Sequence, residues 1–145
     1  MKERFEPITN RCGDIIEWFM ASPDIPDNME LQFKIRLAVE EAVANVVDYA
    51  YEGGQGWLEA ETITSADGSV LSLVIRDAGV PFNPLEKEDP NLSLSVEERG
   101  VGGLGIFLCK QLMDSVGYVY QDGCNVLTMT KTVGASAKPS PEVEG

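Results

Sequence analysis

The sequence predicts a two-layer α+β sandwich, with a mostly antiparallel sheet covered by helices on one face. Three observations predict it. Two apolar stripes with helical spacing stand side by side near the N-terminus. Two pairs of alternating segments are joined around Asp67-Gly68 and Asp122-Gly123, residue types that make tight hairpin turns. A third helical stripe separates the two hairpins. At 145 residues the chain is long enough for one domain with a real core.

The elements follow in order. Pro7–Ala21 reads as a first helix, with Ile8, Cys12, Ile15, Ile16 and Phe19 at helical spacing. No strand is legible before it. Ser22–Asn28 carries two prolines and reads as a turn. A long second helix is expected from Asp27 or Asn28 to about Tyr51. Its apolar stripe is Ile35, Val39, Val43, Val46 and Ala50, and Gly53, Gly54 and Gly56 stop it. Trp57–Thr64 and Ser69–Asp77 form the first hairpin. Val80–Arg99 has three prolines, many charges and no period, so it reads as a long loop of the kind that is usually functional. A helix over Gly102–Asp114 follows, then a hairpin of Val116–Gln121 and Asn125–Val133. One domain therefore spans residues 1–133. The polar, proline-containing tail 134–145 is expected to be disordered.

The net charge is −13 and there is no histidine. Such a surface repels phosphate backbones, so direct nucleic-acid binding is not expected. Cys12, Cys109 and Cys124 lack metal-ligand spacing, and reduced core thiols are the expectation. The sequence shows no signal-peptide pattern and no apolar run long enough to span a bilayer, so a cytoplasmic protein is expected.

Three places carry candidate chemistry. The first is Arg99–Asp114, where Gly100, Gly102, Gly103 and Gly105 run into a helix. Backbone N–H groups and the helix dipole at such a start favour a phosphate. The string matches G-x-G-x-x-G, but a dinucleotide fingerprint needs a strand before it and a βαβ unit around it. A charged, loop-like segment precedes it here, and a hairpin follows the helix. A glycine-rich surface turn is the plain alternative.

The second place is Asp77. The period of two puts it on the face of Leu71, Leu73 and Ile75, where a buried carboxylate needs a partner. Gly79 follows closely, so the backbone can approach a flat ligand. An aspartate there can accept from an exocyclic amino group such as that of adenine; a turn-capping Asp is equally common. The third place is the second helix. Glu41, Asn45 and Asp48 are spaced i, i+4, i+7 and share one face. An amide oxygen there can coordinate a Mg²⁺ that holds phosphate, and a carboxylate can accept a hydroxyl proton. A solvated polar face is the alternative reading.

Together and in this order, the three places are more specific. The segments LAVEEAVANVVDYAY (Leu37–Tyr51), IRDAGVPFNP (Ile75–Pro84), ERGVGGLGIFLCKQLMDSVGY (Glu98–Tyr118) and NVLTMTK (Asn125–Lys131) resemble the GHKL ATPases, which carry the Bergerat ATP-binding fold. The subgroup they look like is the anti-sigma factor serine/threonine kinases. The resemblance implies ATP and Mg²⁺ as cofactors. It implies Glu41 as general base and Asn45 as the metal-coordinating residue. Asp77 and Gly79 would lie at the adenine. Gly102, Gly103 and Gly105 would lie at the phosphates, with Arg99 as a basic residue beside them. Leu85–Glu98 would be the ATP lid. The implied partners are a small anti-anti-sigma protein of the STAS type and a sigma factor, with the protein itself a homodimer.

The resemblance has departures. Family members often carry a basic residue or histidine shortly after the asparagine, where this chain has Asp48-Tyr49. Glu40 stands beside Glu41. The N-terminal strand that family members often have is not legible here. The sequence speaks against a histidine kinase, which, with no histidine in this chain, would have to phosphorylate a histidine on another protein. A binding module that captures partners according to nucleotide state, without phosphotransfer, is the alternative function. The acidic lid residues Glu86, Glu88, Asp89, Glu97 and Glu98 suit partner contact as well as catalysis.

Overall fold

In the computed structural model, residues 1–51, 55–86 and 104–134 are described. In chain order the elements are β1 (Lys2–Phe5), α1 (Cys12–Met20), α2 (Met29–Tyr49), β2 (Leu58–Thr64) and β3 (Val70–Asp77). A short 3-10 helix (Pro84–Glu86), α3 (Leu104–Leu112), β4 (Ser115–Gln121) and β5 (Cys124–Thr132) complete them. The five strands form one antiparallel sheet in the order β1-β2-β3-β5-β4. The second hairpin thus docks through its second strand, and β5 lies directly beside β3.

Alternation decides the layers. Leu58, Ala60, Leu71, Leu73, Ile75, Leu127 and Met129 are buried and share the inner face of the sheet. They meet Ile15 and Phe19 of α1, Ile35, Ala38, Val39, Ala42 and Val43 of α2, and Ile106 and Cys109 of α3 in one core. The outer face carries charge: Arg76 pairs with Glu61 at 2.9 Å and with Glu59 at 3.5 Å. The turns agree with their residues. Asp122 and Gly123 both have positive φ, 56° and 78°, the backbone of a tight hairpin that matches strand twist.

Two expectations are corrected at the N-terminus. A strand does precede the first helix. β1 pairs with β2 from Lys2↔Glu61 to Phe5↔Leu58, and only Phe5 of its four residues is buried. The first helix starts at Cys12 rather than Pro7. Ile8 belongs to the core, but it sits in a turn whose carbonyl accepts from Arg11 N at 2.9 Å. Asn10 in that turn has φ 64°, which no helix allows. A third correction concerns the thiols. All three are free, but only Cys109 is fully buried; Cys12 and Cys124 are partly exposed.

α2 starts at an Asn28 cap, whose Oδ1 accepts from Leu31 N at 3.0 Å. The preceding turn is fastened to the sheet by Asp24. Its carboxylate accepts from Thr62 Oγ1 at 2.7 Å, Thr64 Oγ1 at 2.8 Å and Ser22 Oγ at 3.3 Å. The Thr62 hydroxyl, helped by Thr64 and Ser22, holds the Asp24 carboxyl below its ordinary value of 3.8. A depressed folded-state pKa contributes stability above the unfolded value, and that contribution disappears as pH falls through the folded value. Asp24→Asn is therefore expected to lower stability at pH 7 and to flatten the acid limb below pH ~4. Urea melts of both proteins from pH 7 to 3 check this; parallel acid limbs would rule it out.

Candidate functional site

The long helix α2 carries the site. Its buried stripe of Val39, Val43 and Val46 fixes the helix against the sheet. This turns Glu41, Asn45 and Asp48 toward α3, where they line one recess with Ala44, Tyr49 and Gly105. The expected common face is therefore present. The neighbouring Glu40 is turned away and pairs with Arg36 Nε at 3.4 Å. Of the two adjacent glutamates, Glu41 is the one that faces the recess.

Gly105 shows how closely α3 approaches. A Cβ built on it would lie 2.7 Å from Glu41 Oε1. One turn further along α3, Cys109 donates its thiol to Ala38 O at 3.4 Å. Burial, with the nearby Glu41 charge, pushes that thiol up to about 12. It stays protonated and takes no part as a nucleophile.

A second pocket opens beyond Asn45, between α2 and the sheet. Its lining includes Ala42, Asn45, Ile75, Asp77, Phe82 and Asn125. Asn45 lines both cavities. Asp77 ends β3 on the inner face and is only 4% exposed. Its Oδ1 accepts from Gly79 N and from Asn125 Nδ2, both at 2.9 Å. Among the described residues, no donor meets Oδ2. Burial raises the Asp77 pKa, while the Asn125 amide and the Gly79 N–H pull it back. The pocket thus holds a buried carboxylate with one acceptor that has no partner among the described residues, chemistry that suits a ligand bearing an amino group.

Gly79 is needed for a close approach, and the structure shows to what. A Cβ there would lie 2.0 Å from Ala50 O. The next residue, Val80, donates its N–H to that same carbonyl at 3.0 Å. Tyr51 adds a second tie: its hydroxyl accepts from Ala78 N at 2.8 Å and donates to Trp57 O at 2.9 Å. The loop after β3 is thereby stitched to the C-terminal end of α2. Phe82 lies against Tyr49, with ring centroids 5.7 Å apart.

The structure brings Glu41, Asn45 and Gly105 to one recess and Asn45 and Asp77 to the adjoining pocket, while Gly79 packs against Ala50 at the end of α2. Arg99, Gly102 and Gly103 lie outside the described residues, as does nearly all of the expected lid. Sequence reasoning missed Asn125, which is buried beside Asp77. The signal was present only in the topology, because Asp77↔Asn125 is a cross-strand pair of β3 and β5. Among the described residues, no group of three or more His, Cys, Asp or Glu side chains could hold a metal ion. No helix among them is long and apolar enough to cross a membrane.

Comparison with known proteins bears on the family and the fold. The histidine kinase-like ATPase domain family matches residues 16–131. The serine/threonine-protein kinase BtrW of Bordetella bronchiseptica is 32% identical over 100 residues, covering 69% of this chain and 70% of its own length. The serine-protein kinase RsbW of Bacillus thuringiensis is 32% identical over 130 residues, covering 87% of this chain and 71% of its own. Among solved structures, the histidine kinase domain of the Erythrobacter litoralis EL346 blue-light activated kinase superposes with a TM-score of 0.56 at 14% identity. That superposition covers 89% of this chain and 62% of the other. The match bears on the fold alone, and it is the same open antiparallel sheet with helices on one face. The chain belongs to the histidine kinase-like ATPase family, alongside the RsbW and BtrW serine kinases.

Proposed function

We propose that this protein is an ATP-dependent serine/threonine kinase that phosphorylates a small STAS-type antagonist protein and also sequesters a sigma factor. The observation that carries the reading is the position of Asn45, which lines both the pocket of Asp77 and the recess of Glu41. One nucleotide can then place its base at Asp77 and its phosphates near Glu41. The free Oδ2 of Asp77 fits the adenine amino group as acceptor. Gly105 and, outside the described residues, Gly102, Gly103 and Arg99 would face the phosphates. The helix start at Leu104 adds N–H donors and a favourable dipole there.

Mg²⁺ suits the donors present. It keeps several waters and binds through one or two protein oxygens together with phosphate oxygens, so it needs no cage of carboxylates. The Asn45 amide oxygen would hold it, and the ion would neutralise charge on the phosphates. Glu41 accepts the proton of the attacking serine hydroxyl. The serine oxygen bonds to the γ-phosphorus, the bond to the bridging oxygen breaks, and ADP leaves. The negative charge of the chain disfavours nucleic acid as a direct partner. The protein would act in the cytoplasm as a homodimer.

Incubation with γ-labelled ATP and STAS-type antagonists from the same cell tests the function. Label on an antagonist serine or threonine is the expected result. Tight ATP binding with no label transferred to any antagonist would leave a nucleotide-dependent binding module instead.

Gly105→Ala gives a separate check on the base. The added methyl meets the tip of Glu41, a flexible side chain, so the fold need not yield. Alanine in a helix is also favoured over glycine by up to about 1 kcal/mol. The variant is expected to melt at or above the wild-type temperature yet transfer phosphate about tenfold or more slowly, because Glu41 is displaced. Unchanged turnover would show that transfer does not depend on the position Glu41 takes beside Gly105.

A further inference from the structure

We propose that Asn125 is a positioning residue for nucleotide selection: its amide orients Asp77 toward the amino group of the base and ties that carboxylate to the loop after β3. The inference rests on the reading of this pocket as an adenine site.

The amide of Asn125 is fully used. The residue is 6% exposed. Its Nδ2 donates to Asp77 Oδ1 and to Val80 O, each at 2.9 Å. Its Oδ1 accepts from Phe82 N at 3.1 Å and from the Tyr118 hydroxyl. Two donors and two acceptor sites are what a side-chain amide offers, and each has a partner. A carboxylate would supply the acceptors without the donors, and an aliphatic side chain would supply neither.

The consequence falls on Asp77. A carboxylate at a strand end can turn about its last torsion, which is broad. With Oδ1 fixed by Asn125 and Gly79, that turn is stopped and Oδ2 is the oxygen left for a ligand. The Asn125 amide also favours the ionised form of Asp77 against the burial that raises its pKa. Asn125 thus keeps the carboxylate both aimed and able to accept. Hypoxanthine carries a carbonyl where adenine carries the amino group. Against Oδ2 it would set acceptor against acceptor, and a site built for an N–H donor rejects such an analogue.

The test is a titration of the full-length protein with ADP and with IDP at constant magnesium. Four proteins are compared: wild type, Asp77→Ala, Asn125→Asp and Asn125→Leu. Asn125→Asp keeps the shape and the acceptors for Phe82 and Tyr118, and Asn125→Leu serves if that variant does not fold. Wild type is expected to prefer ADP by about tenfold or more. The preference is expected to collapse toward unity in Asp77→Ala and in each folded Asn125 variant. A purely structural role would weaken both nucleotides equally and leave the ratio as in wild type. A wild-type ratio in either Asn125 variant, with the ratio lost in Asp77→Ala, overturns the inference alone. No preference in wild type, or a preference that survives Asp77→Ala, overturns the adenine site and the inference with it.

Discussion

Glu41→Gln is expected to slow phosphate transfer to the antagonist by about 10²–10⁴-fold, the range for removing a general base, while ADP binding stays near the wild-type level. The substitution keeps the size of the side chain in the recess it shares with Asn45 and Gly105. It removes the negative charge and, with it, the ability to take a proton. Because the proposed adenine contacts lie at Asp77, nucleotide affinity reads a different part of the site. A parallel Glu40→Gln variant is the control, since Glu40 pairs with Arg36 on another side of α2. Single-turnover transfer and ADP titration on both variants separate the effects. If Glu40→Gln is slow and Glu41→Gln is not, the base is misassigned.

Gly79→Ala is expected to have the largest effect on the fold itself. The new methyl would lie 2.0 Å from Ala50 O and 2.7 Å from Ala50 Cβ, and the obstruction is largely backbone. Relief requires the loop after β3 to part from the end of α2, breaking the bond from Val80 N to Ala50 O. A cost of about 3 kcal/mol, the upper end for overpacking, is the expected scale. For a domain of this size that lowers Tm by roughly 10 °C. Nucleotide affinity should fall too, since Gly79 N holds Asp77 Oδ1 at 2.9 Å. Gly117→Ala is the matched control, because a Cβ there meets nothing within 4 Å. Thermal melts of the two variants side by side check the contrast; equal melting temperatures would contradict it.

Legibility in the sequence followed the strength of local signals. α2 and the hairpin turns were readable because a buried stripe, an Asn28 cap and Asp-Gly pairs each act within a few residues. Asp77 was readable because the period of two is strict on a half-buried strand. β1 was not, because an edge strand of four residues with a single buried side chain has no period to detect. Ile8 misled for the opposite reason. It is buried in the core, but from a turn, and helical spacing alone cannot distinguish the two. Asn125 stayed hidden because its meaning depends on β5 lying next to β3, a pairing across 48 positions that no local pattern announces. Gly79 was read as letting the backbone approach a flat ligand; the close neighbour found is Ala50 at the C-terminal end of α2, which no local pattern announces.

The most direct measurement is a crystal structure of the protein with Mg²⁺ and a non-hydrolysable ATP analogue. The expected complex has the adenine amino group within hydrogen-bond distance of Asp77 Oδ2, the metal on Asn45 Oδ1, and the phosphates in the recess beside Glu41 and Gly105. A nucleotide seated instead on the outer face of the sheet, in the recess of Arg76, Gln121 and Cys124, or one whose base does not reach Asp77, would contradict the proposed site.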